Sequence, residues 1–273
     1  MMNFIHKQRG VTRRTVLVSC LGGLALTAFA EAPTAGEVVL REDLNPVFQE
    51  RGFAGTFVLY EANTDRLVLV NAKRAEERFV PASTFKIPNS LIALETGAVK
   101  DVDEVIPYGG KPQLIKAWEK DMAMREALPA SNVPVYQELA RRIGLEQYRA
   151  WLERLDYGNR EIGTVVDRFW LDGPLKISAV EQAKFVARLA QGKLDASAEA
   201  QAQVREILRL EENDGAVLYG KTGWDQKVGW WTGWVEREGK IFAFSLNMPM
   251  EKLADAPKRI EIGKALLAKL GVL

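Results

Sequence analysis

Ser83 and Lys86 are the two side chains whose types and spacing could support nucleophilic chemistry. They lie three residues apart, which places both on one face of a helix. The helix predicted from this point carries apolar residues on nearly all sides and stops at Gly97, so we expect it to be buried. Burial lowers the pKa of a lysine and favours its neutral amine. A serine beside a neutral lysine can act as nucleophile and base.

The same two residues also have a purely structural interpretation. About one Ser-x-x-Lys is expected by chance in a chain of this length, and this sequence contains only Ser83-Thr84-Phe85-Lys86. In that interpretation Ser83 caps a helix, and Lys86 extends its charged end to the surface. The rest of the sequence must decide between the two.

Residues 1–30 have the composition of an export signal. Four basic residues and no acidic one precede an apolar stretch from Thr15 to Phe29, and Ala28-Phe29-Ala30 fits a cleavage site. We therefore predict a signal peptide over residues 1–30 and an exported, periplasmic protein with no membrane attachment after cleavage. Thr12-Arg13-Arg14 also resembles a twin-arginine signal, so the export route stays open.

Removal of this segment limits the chemistry of the mature chain. It takes away the only histidine, His6, and the only cysteine, Cys20. A Ser-His-Asp triad, a Cys-His pair and an ordinary zinc site are then excluded, and no metal is expected. A small excess of acidic residues remains, which argues against a nucleic acid as partner. Acid–base chemistry must come from Lys, Tyr, Asp, Glu or a modified residue.

The remaining pattern predicts strands at both ends of the chain and helices between them. The predicted strands are 55–60 and 67–71, joined as a hairpin, and 216–221, 228–236 and 241–247, which are antiparallel. The predicted helices are 37–52, the Ser83 helix, 134–143, 145–155, 178–192, 197–210 and 255–270, the last capped by Asp255.

This order of elements predicts an α+β fold. No repeat, low-complexity segment or linker interrupts residues 31–273, so we expect them to form a single domain. Its sheet parts are expected at about residues 31–82 and 211–273, and its helical part at about residues 83–210.

Three further clusters lie where predicted elements begin or end. They are Ser131-Asn132-Val133, Tyr157-Gly158-Asn159 and Lys221-Thr222-Gly223. Each alone could be a helix cap, a turn or the end of a strand. Together with Ser-x-x-Lys, and in this order, they resemble the signature of the class D serine β-lactamases, within the wider group of penicillin-recognising proteins. The resemblance extends from Gly55 to Arg259.

This resemblance implies a β-lactamase/transpeptidase-like fold, with an antiparallel sheet flanked by helices and an all-helical subdomain. It implies hydrolysis of penicillin-type β-lactams through an acyl ester on Ser83, and hence antibiotic resistance. Lys86 would be the general base, N-carboxylated by carbon dioxide or bicarbonate, and no other cofactor is expected. Ser131 would pass a proton to the β-lactam nitrogen. Trp170 would steady the carbamate, although a core aromatic is the structural alternative.

The resemblance also assigns substrate-binding residues. Lys221, Thr222 and Gly223 would line the site and bind the substrate carboxylate. The backbone N–H groups of Ser83 and Trp224 would form an oxyanion hole, which stabilises the charge that develops during acyl transfer.

Three more side chains complete the expected site. Val133 and Leu171 would cover the carbamate and limit water around it. Arg259, in the first turn of the last predicted helix, would be a second carboxylate anchor, or alternatively a solvated helix arginine. The link from Gly223 to Gly229 is shorter than in many relatives, which leaves activity on carbapenems and cephalosporins open.

Two other functions use the same residue types. A penicillin-binding sensor domain is acylated and stays so, but such receptors are usually tethered to membrane-spanning helices, whereas the apolar N-terminal run here has the features of a cleavable signal. A cell-wall peptidase of the same fold is disfavoured by Tyr157-Gly158-Asn159 and by Trp170. The sequence leaves the oligomeric state and the response to inhibitors open.

Overall fold

The structure, a computed structural model, describes residues 36–273. The predicted signal peptide, with His6 and Cys20, lies outside the described residues. Within them, seven strands form one sheet. In chain order the strands are β1 (Val38–Leu40), β2 (Thr56–Glu61), β3 (Arg66–Val70), β4 (Arg209–Asn213), β5 (Ala216–Trp224), β6 (Val228–Arg237) and β7 (Lys240–Pro249).

Helices cover both faces of the sheet and form a separate layer beside it. In chain order the α-helices of the described residues are α1 (Pro46–Gln49), α2 (Ala72–Glu76), α3 (Lys86–Glu95), α4 (Met124–Ala127), α5 (Val133–Ile143), α6 (Leu145–Leu155), α7 (Ala179–Ala190), α8 (Ala198–Leu208) and α9 (Ala256–Lys269). None of the helices in residues 36–273 is long and apolar enough to cross a bilayer.

The strand order is β1-β3-β2-β7-β6-β5-β4, so the first hairpin and the last three long strands meet at the centre. There β2 pairs with β7, with Thr56 opposite Asn247. The two central strands are buried on both faces over most of their length, as expected for a sheet covered by helices on each side. The neighbouring strands are antiparallel except that β1 runs parallel to β3, so the sheet is mixed.

Two predicted helices differ from the structure. Residues 37–52 contain strand β1 and two single turns of helix, because Val38 to Leu40 extend along β3 and bury Val39 against the sheet core. The helix predicted over 197–210 ends at Leu208, and the next residues form the exposed edge strand β4 beside β5. Pairing with the distant strand β3 decides the first case, and the local sequence pattern does not indicate it. In the second case the local sequence does carry a signal, since Asp214-Gly215 forms a two-residue hairpin turn between β4 and β5.

The remaining predicted helices and strands are present with small shifts at their ends. The capping box that opens α7 is formed, since Ser178 accepts from the Glu181 backbone and the Glu181 side chain accepts from the Ser178 backbone. Asp255 occupies the N-cap position of α9, but its side chain caps nothing there, so that detail of the prediction is wrong.

Helix α7 packs on the sheet, which differs from the all-helical assignment of residues 83–210. Its Ala179 and Ala183 lie in one buried cluster with Val58 of β2 and Trp230 of β6. Helix α9 covers the opposite face, where Ile262 and other residues pack on the sheet. The helical part proper surrounds α3, whose residues from Lys86 to Ala93 are all buried.

The packing of α9 on β6 leads to a stability prediction. A Cβ atom at Gly263 would lie 2.3 Å from two ring atoms of the buried Trp231. Alanine in place of glycine normally stabilises a helix interior by roughly 0.5–1 kcal/mol. Here overpacking should outweigh that gain, and we expect Gly263→Ala to lower the free energy of unfolding by about 1–3 kcal/mol in denaturant titration.

A control on another helix uses the reverse change. Ala150 is exposed in the interior of α6, so Ala150→Gly should cost roughly 0.5–1 kcal/mol from helix propensity alone. A Gly263→Ala variant more stable than wild type would contradict the close contact with Trp231.

Candidate active site

Ser83 lies in a single 3-10 turn, Ala82–Phe85, that leads directly into α3. The predicted α-helix therefore begins three residues later than expected. Ala82, just before the serine, has a φ of +48°, a left-handed conformation that is costly for a residue with a Cβ atom. Ser83 itself is half-buried, so its hydroxyl lies at the edge of the core.

Lys86 is fully buried, and a hydrogen bond of 2.9 Å joins its Nζ to Ser83 Oγ. Burial, and secondly the charge of Lys221, hold the pKa of Lys86 well below its ordinary value. The ring of Tyr136 lies 5.2 Å from the same Nζ. The amine therefore does not reach the surface, which excludes the alternative of an extended surface lysine.

A second serine–lysine pair lies beside the first. Lys221 Nζ donates to Ser131 Oγ over 2.7 Å and to the Thr222 carbonyl over 2.9 Å. Ser131 occupies a left-handed turn, with φ of +54°, immediately before α5. Burial, followed by the charge of Arg259, lowers the pKa of Lys221 to about 7. Because the charge of Lys221 in turn affects Lys86, the two pairs form one electrostatic unit.

The end of β5 packs tightly against the Ser83 turn. A Cβ atom at Gly223 would lie 2.9 Å from the Pro81 carbonyl oxygen and 3.1 Å from the Thr84 nitrogen. Only glycine allows this approach, so the third residue of Lys221-Thr222-Gly223 is needed for the fit between strand and turn. Thr222, between the buried Lys221 and Gly223 on β5, is half-buried.

Arg259 fixes the same strand end from the other side. It is buried, and its Nη1 donates to the Gly223 carbonyl over 2.5 Å while its Nε donates to the Ala256 carbonyl over 2.9 Å. Burial lowers its pKa to about 10. The structure therefore excludes a solvated helix arginine at this position and places a cationic group beside Lys221.

Trp170 is fully buried and stacks on Phe85, with ring centroids 5.4 Å apart. Its indole Nε1 is one of a few buried polar side-chain atoms in residues 36–273 with no hydrogen-bond partner. Leu171 is half-buried and packs against the same hydrophobic cluster. Val133 is the first residue of α5 and is also half-buried, close in sequence to Ser131.

The Tyr157-Gly158-Asn159 cluster has a structural role in this geometry. Asn159 donates to the Pro174 carbonyl over 3.0 Å and accepts from the Lys176 nitrogen over 2.8 Å. Gly158 has a φ of +57°, and a Cβ atom there would lie 2.3 Å from the Lys176 carbonyl oxygen. The cluster thus holds the segment that follows Trp170.

Three comparisons show which known proteins this chain is similar to. The family described as "Penicillin binding protein transpeptidase domain" matches residues 55–268. The chain is 36% identical to β-lactamase OXA-10 of Pseudomonas aeruginosa over 94% of this chain and 97% of that protein. It is 42% identical to β-lactamase OXA-48 of Klebsiella pneumoniae over 76% of this chain and 79% of that protein.

The solved structure of FUS-1 (OXA-85), a class D β-lactamase of Fusobacterium nucleatum subsp. polymorphum, has a TM-score of 0.82 and 42% identity, covering 85% of this chain and 98% of that one. The chain belongs to the class D β-lactamases. These are serine hydrolases of the β-lactam amide bond without a metal cofactor. The predicted family, fold class and type of enzyme are confirmed.

Within this class D chain, the structure adds two side chains near Ser83 that the sequence did not single out. Tyr136 forms one wall around the Lys86 amine, and its hydroxyl lies 2.8 Å from Ser90 Oγ. Trp230 is fully buried and donates from Nε1 to the Val80 carbonyl over 2.9 Å, just ahead of the Ser83 turn. Neither residue lies in a recognisable motif, since each contacts the site from a distant element.

The side chain of Trp224 is hydrogen-bonded to the end of β7. Its Nε1 donates to the Met250 carbonyl over 2.7 Å. The Met250 nitrogen in turn donates to the Lys227 carbonyl over 2.8 Å. These two bonds tie the short β5–β6 turn to the end of β7, so a contribution of Trp224 to the site would come from its backbone.

The lowered pKa of Lys221 predicts how its removal changes stability. Its pKa is about 7 in the folded protein and ordinarily 10.5, so the unfolded chain binds more protons between these values. The buried lysine therefore costs most stability below pH 7, and that cost declines as the pH rises. We expect the free energy of unfolding of Lys221→Met, relative to that of wild type, to be higher at pH 6 than at pH 9 by roughly 2–3 kcal/mol.

Thermal or denaturant unfolding at both pH values measures this difference. The exposed Lys193 offers a control, because Lys193→Met removes a lysine that is not buried in the folded protein. If the difference in free energy of unfolding between Lys221→Met and wild type is the same at pH 6 and pH 9, Lys221 does not have the lowered pKa.

Proposed function

We propose that this class D β-lactamase hydrolyses penicillin-type antibiotics through an acyl ester on Ser83 and thereby confers resistance. The observation that carries the proposal is the 2.9 Å hydrogen bond between Ser83 Oγ and the fully buried amine of Lys86. A desolvated, neutral amine has a lone pair that can accept the serine proton. The named relatives OXA-10 and OXA-48 are β-lactamases, which supports β-lactams as the substrates.

In the proposed acylation, Ser83 Oγ attacks the β-lactam carbonyl carbon and its proton passes toward Lys86. The backbone N–H groups of Ser83 and Trp224 donate hydrogen bonds to the carbonyl oxygen and stabilise the negative charge that develops on it. The close approach of Gly223 to Pro81 and Thr84 supports this role, since it brings the two backbone segments together.

Opening of the ring breaks the carbon–nitrogen bond, and the nitrogen must gain a proton. We assign that transfer to Ser131, supported by its 2.7 Å hydrogen bond with Lys221, whose pKa near 7 allows it to give and regain a proton at neutral pH. Lys221, Thr222 and Arg259 would bind the substrate carboxylate, for which two neighbouring cationic groups are suited.

We also propose that Lys86 is N-carboxylated by carbon dioxide. Only a neutral amine reacts with carbon dioxide, and burial provides one. Trp170 Nε1 is buried and without a partner among residues 36–273, so it is a free donor for a carbamate oxygen. Val133 and Leu171 would limit water around it. When present, the carbamate supplies a base for both acylation and deacylation.

We also propose the remaining assignments made from the sequence. Residues 1–30 would be a cleaved signal, the protein would be periplasmic, and residues 31–273 would form a single domain. Support comes from the basic and apolar composition of the first thirty residues, and from the sheet, which joins strands of both ends of the mature chain.

The direct test of the proposed function is ring opening of benzylpenicillin by the purified protein with added bicarbonate, followed by absorbance. We expect many turnovers per molecule, and Ser83→Ala should reduce the rate by at least about 10³-fold because the nucleophile is lost. Mass spectrometry should find the acyl adduct on wild type and not on Ser83→Ala.

Two outcomes would contradict the proposal. A burst of one equivalent followed by a stable adduct on Ser83 would indicate a penicillin-binding sensor. Turnover by Ser83→Ala at the wild-type rate would exclude the ester mechanism.

The carboxylation of Lys86 has its own test. Trp170→Phe removes the indole N–H and retains an aromatic ring on Phe85, so we expect turnover that becomes strongly dependent on added bicarbonate. The ¹³C NMR signal of a carbamate, formed from labelled bicarbonate, should weaken in this variant and be missing in Lys86→Ala.

Trp231→Phe is a matched control for this experiment. Trp231 is equally buried and its Nε1 also lacks a partner in the described chain, but it packs in the sheet core beneath α9. Equal dependence on bicarbonate in both variants, or none in either, would refute the role of Trp170.

A further inference from the structure

A buried polar side chain near Ser83 has no part in the chemistry described so far. Gln182 lies on α7, is 1% exposed, and donates from Nε2 to Thr84 Oγ1 over 2.7 Å. Thr84 is the residue directly after Ser83, and it too is fully buried. A buried amide is costly unless its hydrogen bonds are formed, so this contact is a specific feature of the site.

The contact belongs to a directed chain of hydrogen bonds. The Tyr157 hydroxyl donates to Gln182 Oε1 over 3.5 Å, Gln182 donates to Thr84, and Thr84 Oγ1 donates to the Pro81 carbonyl over 2.7 Å. Gln182 and Thr84 each accept from one neighbour and donate to the next. The chain therefore starts at the Tyr157 cluster and ends on the residue two positions before Ser83.

The end point of this chain is a strained turn. Ala82, between Pro81 and Ser83, holds a left-handed φ of +48°. Such a conformation persists only where the surroundings over-determine it. The Pro81 carbonyl is fixed by the Thr84 hydroxyl and by the Thr84 nitrogen at 3.2 Å, and β5 packs against it through Gly223.

From this geometry we propose that Gln182 is a positioning residue for Ser83. Acting through the Thr84 hydroxyl, it holds the Pro81–Thr84 turn in the one conformation that directs Ser83 Oγ toward both Lys86 and the substrate carbonyl. The inference rests on the proposed function, since it concerns acylation of the same serine. In this proposal Tyr157 also orients the Gln182 amide, in addition to the role of its cluster in holding the segment that follows Trp170.

An amide suits this arrangement. Its NH₂ group donates to Thr84 over 2.7 Å, and its carbonyl oxygen lies at the longer distance of 3.5 Å from the Tyr157 hydroxyl. Gln182→Leu removes both functions at similar volume. Thr84→Val removes only the hydroxyl with the shape retained, whereas Thr84→Ser keeps the hydroxyl.

The experiment measures the rate constant of acylation by benzylpenicillin in single-turnover mixing, separately from the affinity for the substrate. Displacement of a reacting group by a fraction of an ångström slows the chemical step, and up to about 10²-fold is lost for 1 Å. We therefore expect Gln182→Leu and Thr84→Val each to slow acylation by about 10- to 100-fold with little change in affinity. Thr84→Ser should acylate close to the wild-type rate.

A double variant tests whether the two residues act through one chain. Gln182→Leu combined with Thr84→Val should slow acylation about as much as the more severe single change, since either change alone breaks the chain. Losses that multiply would mean that the two residues act independently, which contradicts the proposal.

Gln201 provides the control for a purely structural effect. It is also a buried glutamine, 2% exposed on α8, and its amide donates to the Leu194 and Ala196 carbonyls away from Ser83. Gln201→Leu should lower the melting temperature as Gln182→Leu does, yet acylate within about twofold of wild type, since it leaves the serine turn intact.

The results separate this inference from the proposed function. Wild-type protein that forms no acyl adduct overturns the proposed function and this inference with it. An acylated wild type, with Gln182→Leu reacting at the same rate or with Gln201→Leu equally slowed, overturns this inference alone. If Gln182→Leu does not fold, a Thr84→Val variant that acylates at the wild-type rate is sufficient to overturn it.

Discussion

The burial of the Lys86 amine is the constraint on which the rest of the site depends. A lysine taken fully out of water favours its neutral form, and the neighbouring charge of Lys221 acts in the same direction. The amine is hydrogen-bonded to the Ser83 hydroxyl and lies over the ring of Tyr136. The fold thus holds the Lys86 amine in its neutral form, with a free lone pair, beside the Ser83 nucleophile. Burial of this amine lowers the stability of the folded protein, and packing of the surrounding core must offset that loss.

That core is largely aromatic around one residue. Phe85, between Ser83 and Lys86, contacts the rings of Tyr148, Tyr157, Phe169 and Trp170, with centroids between 5.2 and 6.1 Å apart. Aromatic side chains bury large areas with few polar atoms, so they keep the space near the amine dry. The helical part therefore supplies the low polarity, and the sheet supplies Lys221 and the backbone that faces the serine.

The sequence predicts the motif residues and most elements, because periodicity, caps and glycine-ended strands are local signals. Ser83 and Lys86 are singled out by residue type and spacing, whereas Ser131 and Lys221 are singled out by the resemblance of four ordered motifs to the class D signature. The exposed strand from Arg209 is missed although Asp214-Gly215 is a local hairpin signal between it and the next strand. The parallel edge strand from Val38 is missed because its pairing with a distant strand decides it. Gln182, Tyr136 and Trp230 are missed for the same reason. Their spacing carries no signal, and only tertiary packing brings them to the serine.

The order of strands has a consequence for synthesis. Strand β2 lies near the start of the described chain, and it pairs with β7, which lies near the end. The Ser83 turn packs against the end of β5. Until these last strands have left the ribosome, the first three strands form only one edge of the sheet. The Ser83 turn then lacks the packing contact with β5. Such long-range pairing forms slowly. The reactive centre is therefore complete only when the strands of both ends of the described chain have paired.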